Sequence, residues 1–237
     1  ILKARVDLLF FGGIGTYVRA ATETDQDVGD KANDALRITG ADLRVRVVGE
    51  GANLGMTQRG RVEFAERGGR LNTDFIDNSA GVNTSDQEVN IKIALGPAQR
   101  SGRLDIARRN VLLTRMTDAV AAGSLRNNYQ QGLALSLAAR TAAANAPDLG
   151  LLMRALETRK LLVRKLEALP SDAALAERAR AGRGLTRPEL AVLLSYAKIA
   201  LSHDLLASGL PDEPLAQGWL TAYFAPEMRQ DFASDIE

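Results

Sequence analysis

LNTDFIDNSAGVNTSDQE, residues 71–88, is the stretch around which the rest of the chain is organised. Leu71, Thr73, Phe75 and Ile76 suit a short strand, which Asp77, Asn78, Ser79, Ala80 and Gly81 then break. Ser85 followed by Glu88 has the spacing of a helix capping box, and Val89, Ile91, Ile93 and Leu95 supply apolar content for the helix. A strand, a small-residue loop and a helix start together form the edge of an open α/β sheet where ligands bind. Small side chains let a flat ring approach the backbone, and the free N–H groups of a helix start favour anionic groups.

Upstream, Val6 to Phe11 is apolar after Asp7, the pattern of a parallel strand covered on both faces. Gly12, Gly13 and Gly15 follow at once and permit either a plain tight turn or close approach of backbone to a ligand. The run is GGIG, and no stretch supplies GxGxxG. A helix is expected over Lys31 to Ile38 and a second strand over Arg44 to Val48. That strand ends in Gly49-Glu50-Gly51-Ala52-Asn53. Asn53 is either a turn residue that tolerates left-handed φ or an amide facing a ligand. Glu50 reads as a solvated loop carboxylate. A helix over Gln58 to Glu66 leads to a third strand, Leu71 to Ile76. Strands alternating with helices predict parallel pairing with right-handed crossovers. The three loops after the strands then gather at one edge of the sheet.

Gly96-Pro97 to Gly102 marks a boundary, beyond which the sequence is rich in alanine and leucine and reads as wholly helical. Helices are expected over Leu104 to Ala122, Asn127 to Ala144, Leu149 to Leu169 and Leu190 to Leu206. Thr186 and Glu189 are spaced to start the last of these. Two short helices are expected around Trp219 and Met228. The fold class is therefore α/β: the later half of a Rossmann-like parallel sheet over residues 1–97, then an all-helical domain over 98–237. His203, the single histidine, falls near a helix end. The basic residues between Arg154 and Lys165, and Arg108-Arg109, read as solvated helix faces. Trp219, with Tyr223 and Phe224, reads as core packing, with a docking patch as the alternative.

The formal net charge is +1, which gives no bulk electrostatic reason to expect nucleic acid or a membrane surface as partner. Zero cysteines exclude disulfides, thiol nucleophiles and cysteine zinc sites, in keeping with a cytoplasmic protein. No metal-ligand or nucleophile constellation is visible, and no uninterrupted apolar run of about 18 residues appears. The chain starts Ile-Leu-Lys and enters a buried-looking strand almost directly, so a fragment of a longer polypeptide is expected.

Asn78-Ser79-Ala80-Gly81-Val82 with Ser85 and Glu88 resembles the Asn-Ala-Gly-Gly-Val…Ser…Glu signature near the end of the nucleotide domain in glutamate dehydrogenases. Together with VDLLFFGGIGTYVRA (6–20) and VVGEGANLGMTQRGRVEFA (47–65), the likeness is greatest to the large bacterial NAD-specific class. It extends over Val6 to Leu95 and again over LTRPELAVLLSYAK, Leu185 to Lys198. Ser79, Ala80 and Asp86-Gln87 depart from the common Ala, Gly and Tyr-Phe.

The resemblance implies a parent enzyme that oxidatively deaminates L-glutamate to 2-oxoglutarate and ammonia with NAD. It places Gly12, Gly13 and Asn53 beside the cofactor, Asn78 by the nicotinamide, and Ser85 on the side-chain carboxylate of glutamate. The alternative for Ser85 is a plain N-cap. The family's acid/base aspartate, activating lysine and first glycine-rich phosphate loop would lie upstream of Ile1. No residue here is then a catalytic acid or base, and the fragment alone should be inactive. The partners implied are the remainder of the parent polypeptide and other subunits of a homo-oligomer. From a different class, the chain is a helical regulatory or assembly module with no ligand of its own.

Overall fold

The apolar run near the start forms strand β1, Leu8–Phe11, in the computed structural model, which describes residues 1–236. A short strand β2 (Val18–Arg19), a one-turn helix α1 (Asp25–Val28) and strand β3 (Ile38–Thr39) follow. Strand β4, Val47–Glu50, then pairs with β1 in parallel, with Leu8 opposite Val47 and Phe11 opposite Glu50. β2 and β3 make a second parallel pair. Helix α2, Gln58–Glu66, starts where the sequence predicts, with the Thr57 side chain accepting from the Gly60 N–H.

The helix expected over Lys31 to Ile38 is reduced to a 3-10 turn, Lys31–Asn33. Asp30 spends its carboxylate on the Thr16 N–H and Asn33, while Ile38 is drawn into β3. The third strand is also corrected. Only an isolated bridge, Val47 to Arg70, extends the sheet, and the chain turns into a one-turn helix α3, Asp74–Asp77. Asp74 is buried against Arg61, a partner distant in sequence, and this overrides the strand propensity of Leu71, Phe75 and Ile76.

Helix α4, Ser79–Arg100, starts directly after α3, so neither a loop at 78–81 nor a cap at Ser85 forms. The small polar residues are used inside the helix instead. Thr84 bonds back to the Ala80 carbonyl and across to Ser124, and the Asn128 amide donates to Ser79. Those contacts lie on helix α5, Ile106–Thr141, one 36-residue helix where two were expected. Residues 123–126 fall between the two expected helices, yet Ser124 and, just beyond it, Asn128 are where α5 meets α4.

Helix α6, Ala146–Thr158, ends in a Schellman turn with Lys160 in the left-handed position at φ 57°, well short of Leu169. Helix α7, Asp172–Arg180, is capped by Ser171. Helix α8, Arg187–Ala207, starts as the Thr186 and Glu189 spacing predicts, with both the N–H and the hydroxyl of Thr186 donating to the Glu189 carboxylate. By length and composition α8 could cross a membrane. Its first turns are instead core: Leu190 to Leu193 are buried, and Glu189, also buried, pairs with Arg178. Helices α9 (Pro214–Tyr223), α10 (Pro226–Asp231) and α11 (Ala233–Ile236) complete the described chain.

The chain divides into two units. The first, residues 1–78 and 130–200, holds two apolar clusters: Val18, Val48, Met56 and Phe64 around the strands, and Ile76, Met153, Leu156 and Leu193 among the helices. The second holds residues 79–129 and the stretch from Leu201, packed around Leu95, Met116 and Met228. Trp219 is 60% exposed in this unit, so core packing is corrected there, while Phe224 is buried. Arg164 is likewise no solvated side chain, being enclosed between Glu157 and Asp172.

Candidate functional site

Parallel pairing of β1 and β4 puts the carboxyl ends of both strands, and the loops that follow, on the same side. Gly12 and Gly13 leave β1 and are exposed. The loop after β4 is tied to them at its start, where the Ala52 N–H donates to the Phe11 carbonyl at 2.9 Å. A cavity of about 680 Å³ opens beside the two glycines, bordered by Leu9, Phe10, Tyr17, Leu36 and Ile38. Phe10 lies over Gly51, where an added Cβ would stand 2.4 Å from the tip of its ring, so a larger residue there would displace that exposed side chain.

Asn53 is exposed at the tip of the loop. Asn78 caps the end of α3 and is half-buried, and its amide donates to the Asn53 side-chain oxygen at 3.1 Å. The third site loop thus meets the second although the third strand is missing. Ser85 lies in the second unit, exposed in the interior of α4, and does not cap it.

Beneath the loop is a cluster that sequence reasoning missed. Glu50 is 1% exposed and not a solvated carboxylate. Its two oxygens take Arg61 side-on, at 2.7 Å from Nε and 2.8 Å from Nη2, and one of them also accepts from the Met56 N–H. The same guanidinium reaches Asp74 at 3.1 Å. Burial pushes the Glu50 carboxyl up from its ordinary range and Asp74 adds to the rise, against the downward pull of Arg61. For Arg61, burial works against the charge, and the Glu50 and Asp74 carboxylates overcome it and hold its pKa raised. Arg61 is buried on α2 along with Gly60, Val62 and Phe64, and such burial of a cation demands a paired carboxylate, but no pattern in the sequence marks it as buried.

The cluster lies beneath loops that carry two amides and two glycines at their rim. Glycine backbone and paired amides suit a flat, hydrogen-bonding ligand such as a nucleotide ring. The residues present therefore fit one wall of a nucleotide site.

Residues 1–138 match the family described as bacterial NAD-glutamate dehydrogenase, catalytic domain, and residues 182–237 match glutamate dehydrogenase, C-terminal. The chain is 58% identical over 213 residues to the NAD-specific glutamate dehydrogenase of Pseudomonas aeruginosa, covering 90% of this chain and 13% of that protein. It is 48% identical over 236 residues to the protein of the same name from Halomonas elongata, covering all of this chain and 15% of that protein. For the Mycobacterium tuberculosis protein of that name the identity is 45% over 236 residues, again all of this chain and 14% of the relative. The chain thus spans about one seventh of the length of these relatives.

Proposed function

The chain belongs to the bacterial NAD-glutamate dehydrogenase family, and on that premise we propose that it forms one wall of the site at which the full-length enzyme oxidatively deaminates L-glutamate to 2-oxoglutarate and ammonia. The observation that carries the proposal is the contact of Asn78 with Asn53 beyond the carboxyl ends of two parallel strands. Residues 1–97 supply the later part of a Rossmann-like nucleotide domain, and residues 98–237 its helical extension. When bound, NAD supplies the hydride acceptor. Gly12 and Gly13 let it lie close to the backbone, Asn53 orients it, and Asn78 holds the nicotinamide end. Ser85, exposed and free of a capping role, donates its hydroxyl to the side-chain carboxylate of glutamate.

No residue of the chain is assigned a proton-transfer role, so the 237-residue chain alone is expected to show no glutamate turnover. The full-length enzyme is proposed to be a cytoplasmic homo-oligomer. An assembly role for the helical part is favoured by one observation: Leu206, Leu215 and Trp219 of the second unit stand 74%, 68% and 60% exposed.

The test is NADH formation from L-glutamate by the full-length protein, wild type beside Ser85→Ala. A wild-type rate that falls in the variant, mainly through a raised glutamate KM, supports both the reaction and the serine. A wild-type protein inactive on glutamate refutes the reaction. A variant with unchanged glutamate KM refutes the serine's role.

A further inference from the structure

The loop that carries Asn53 is bracketed by two carboxylates one helical turn apart. The Glu50 N–H donates to Asp77 Oδ2 at 2.9 Å, and the Leu54 N–H donates to Asp74 Oδ2 at 2.8 Å. Between those two anchors lie Gly51, Ala52 and Asn53 only. Leu54, next to Asn53, is held at φ 65°, a left-handed conformation that a side chain with a Cβ resists. The bond from its N–H to Asp74 fixes it there.

Neither aspartate is free to move. The other oxygen of Asp74 meets Arg61 at 3.1 Å and accepts the Phe75 N–H at 2.9 Å. The other oxygen of Asp77 accepts from the Asn72 amide at 2.6 Å. Asn72 in turn accepts from Arg187 Nε at 2.5 Å, and Arg187 also donates to Ser136 and to the Gly132 carbonyl. The start of α8 and the end of α5 therefore support α3, α3 supports the loop, and Asn78 follows Asp77 directly. Such a chain of charge-assisted bonds in a partly buried setting rigidifies whatever it holds.

We propose that Asp74 and Asp77 are positioning residues of the nucleotide site, a two-carboxylate clamp that sets the Asn53 loop against Asn78. The assignment rests on the proposed function of that loop. It requires carboxylates in particular. The Glu50 N–H and the Asn72 amide reach different oxygens of Asp77, and asparagine turns one of these into an NH2 donor, so one of the two donors loses its partner. Loosening the loop makes NAD binding order it anew, which weakens binding without altering the chemistry that follows.

The experiment is steady-state kinetics of the full-length enzyme with NAD varied at saturating glutamate, for wild type, Asp77→Asn, Asn72→Ala and Asn53→Ala. The clamp predicts an NAD KM about tenfold higher in Asp77→Asn with kcat little changed, the pattern of lost uniform binding. Asn72→Ala, which frees one arm of Asp77 and leaves the loop bond intact, should raise it by about threefold. A purely structural role would instead lower apparent kcat through loss of folded enzyme and leave the NAD KM as it was, which overturns the proposal. If Asp77→Asn is insoluble, an unchanged NAD KM in Asn72→Ala overturns it equally. Asn53→Ala separates the two levels. A raised NAD KM there with none in the clamp variants rejects the clamp alone, and no change there rejects the nucleotide reading of the loop and the clamp with it.

Discussion

Replacing Arg61 by methionine should unfold the first unit far more readily than loss of any surface ion pair. Methionine keeps much of the buried stem and removes the guanidinium, leaving Glu50 and Asp74 facing each other without a cation. The Arg61 and Glu50 side chains are 5% and 1% exposed, so solvent does little to compensate. Breaking a buried pair by removing one partner costs about 3–5 kcal/mol, a large share of the roughly 5–15 kcal/mol that holds a domain folded. At an m-value of about 2 kcal/mol/M, the urea midpoint should fall by roughly 2 M. Urea unfolding of the purified chain followed by circular dichroism measures this.

The loss should also depend on pH. The Glu50 carboxyl is already raised by burial, and without Arg61 it rises further. A raised folded-state pKa means stability that is complete below the unfolded value and lost as pH climbs through the folded one, so the penalty grows with pH. Adding Glu50→Gln removes the stranded charge and should recover part of the loss, a coupling that the double-mutant cycle reads directly. A loss below about 1 kcal/mol, as for an exposed pair, or no recovery in the double variant, would refute the reasoning.

Asp30 is held below the ordinary aspartate value of 3.8, first by the Thr16 N–H and then by Asn33. Its contribution is therefore present above that value and disappears as pH falls through the lowered one, so thermal melts of Asp30→Asn should converge with wild type in acid and diverge near neutrality. Ser85→Ala should leave the melting of the purified chain within about 0.5 kcal/mol of wild type, since an interior helix site gains nothing from a serine; a loss near 1 kcal/mol would restore the capping role. Lys160→Gly places glycine at the left-handed residue that ends α6 and should stabilise by up to about 1 kcal/mol in thermal melts; a lower melting temperature would contradict the strain assigned there.

The parts of the fold legible in sequence were those written in local chemistry. The apolar run before Gly12 became β1, the expected helix over Gln58 to Glu66 became α2, Thr186 and Glu189 marked the start of α8, and the loops at Gly12 and Asn53 did come together by parallel pairing. The parts that misled depend on partners far along the chain. Asp74 turns a strand into α3 because Arg61 and the Leu54 N–H are there to meet it. The helix runs on through 123–128 because Thr84 and Ser79 occupy the polar groups of Ser124 and Asn128. Glu50 looked solvated because no local pattern announces that an arginine eleven residues on will cover it. The rim of the candidate site could thus be named from motifs, whereas the buried charges beneath it could not.

The most direct test of the nucleotide wall is amide hydrogen exchange of the full-length enzyme with and without NAD, read over residues 50–56 and 74–80. Slowed exchange in both segments on adding NAD is the predicted result. Unchanged exchange in both, under conditions where NAD is bound, would contradict the account.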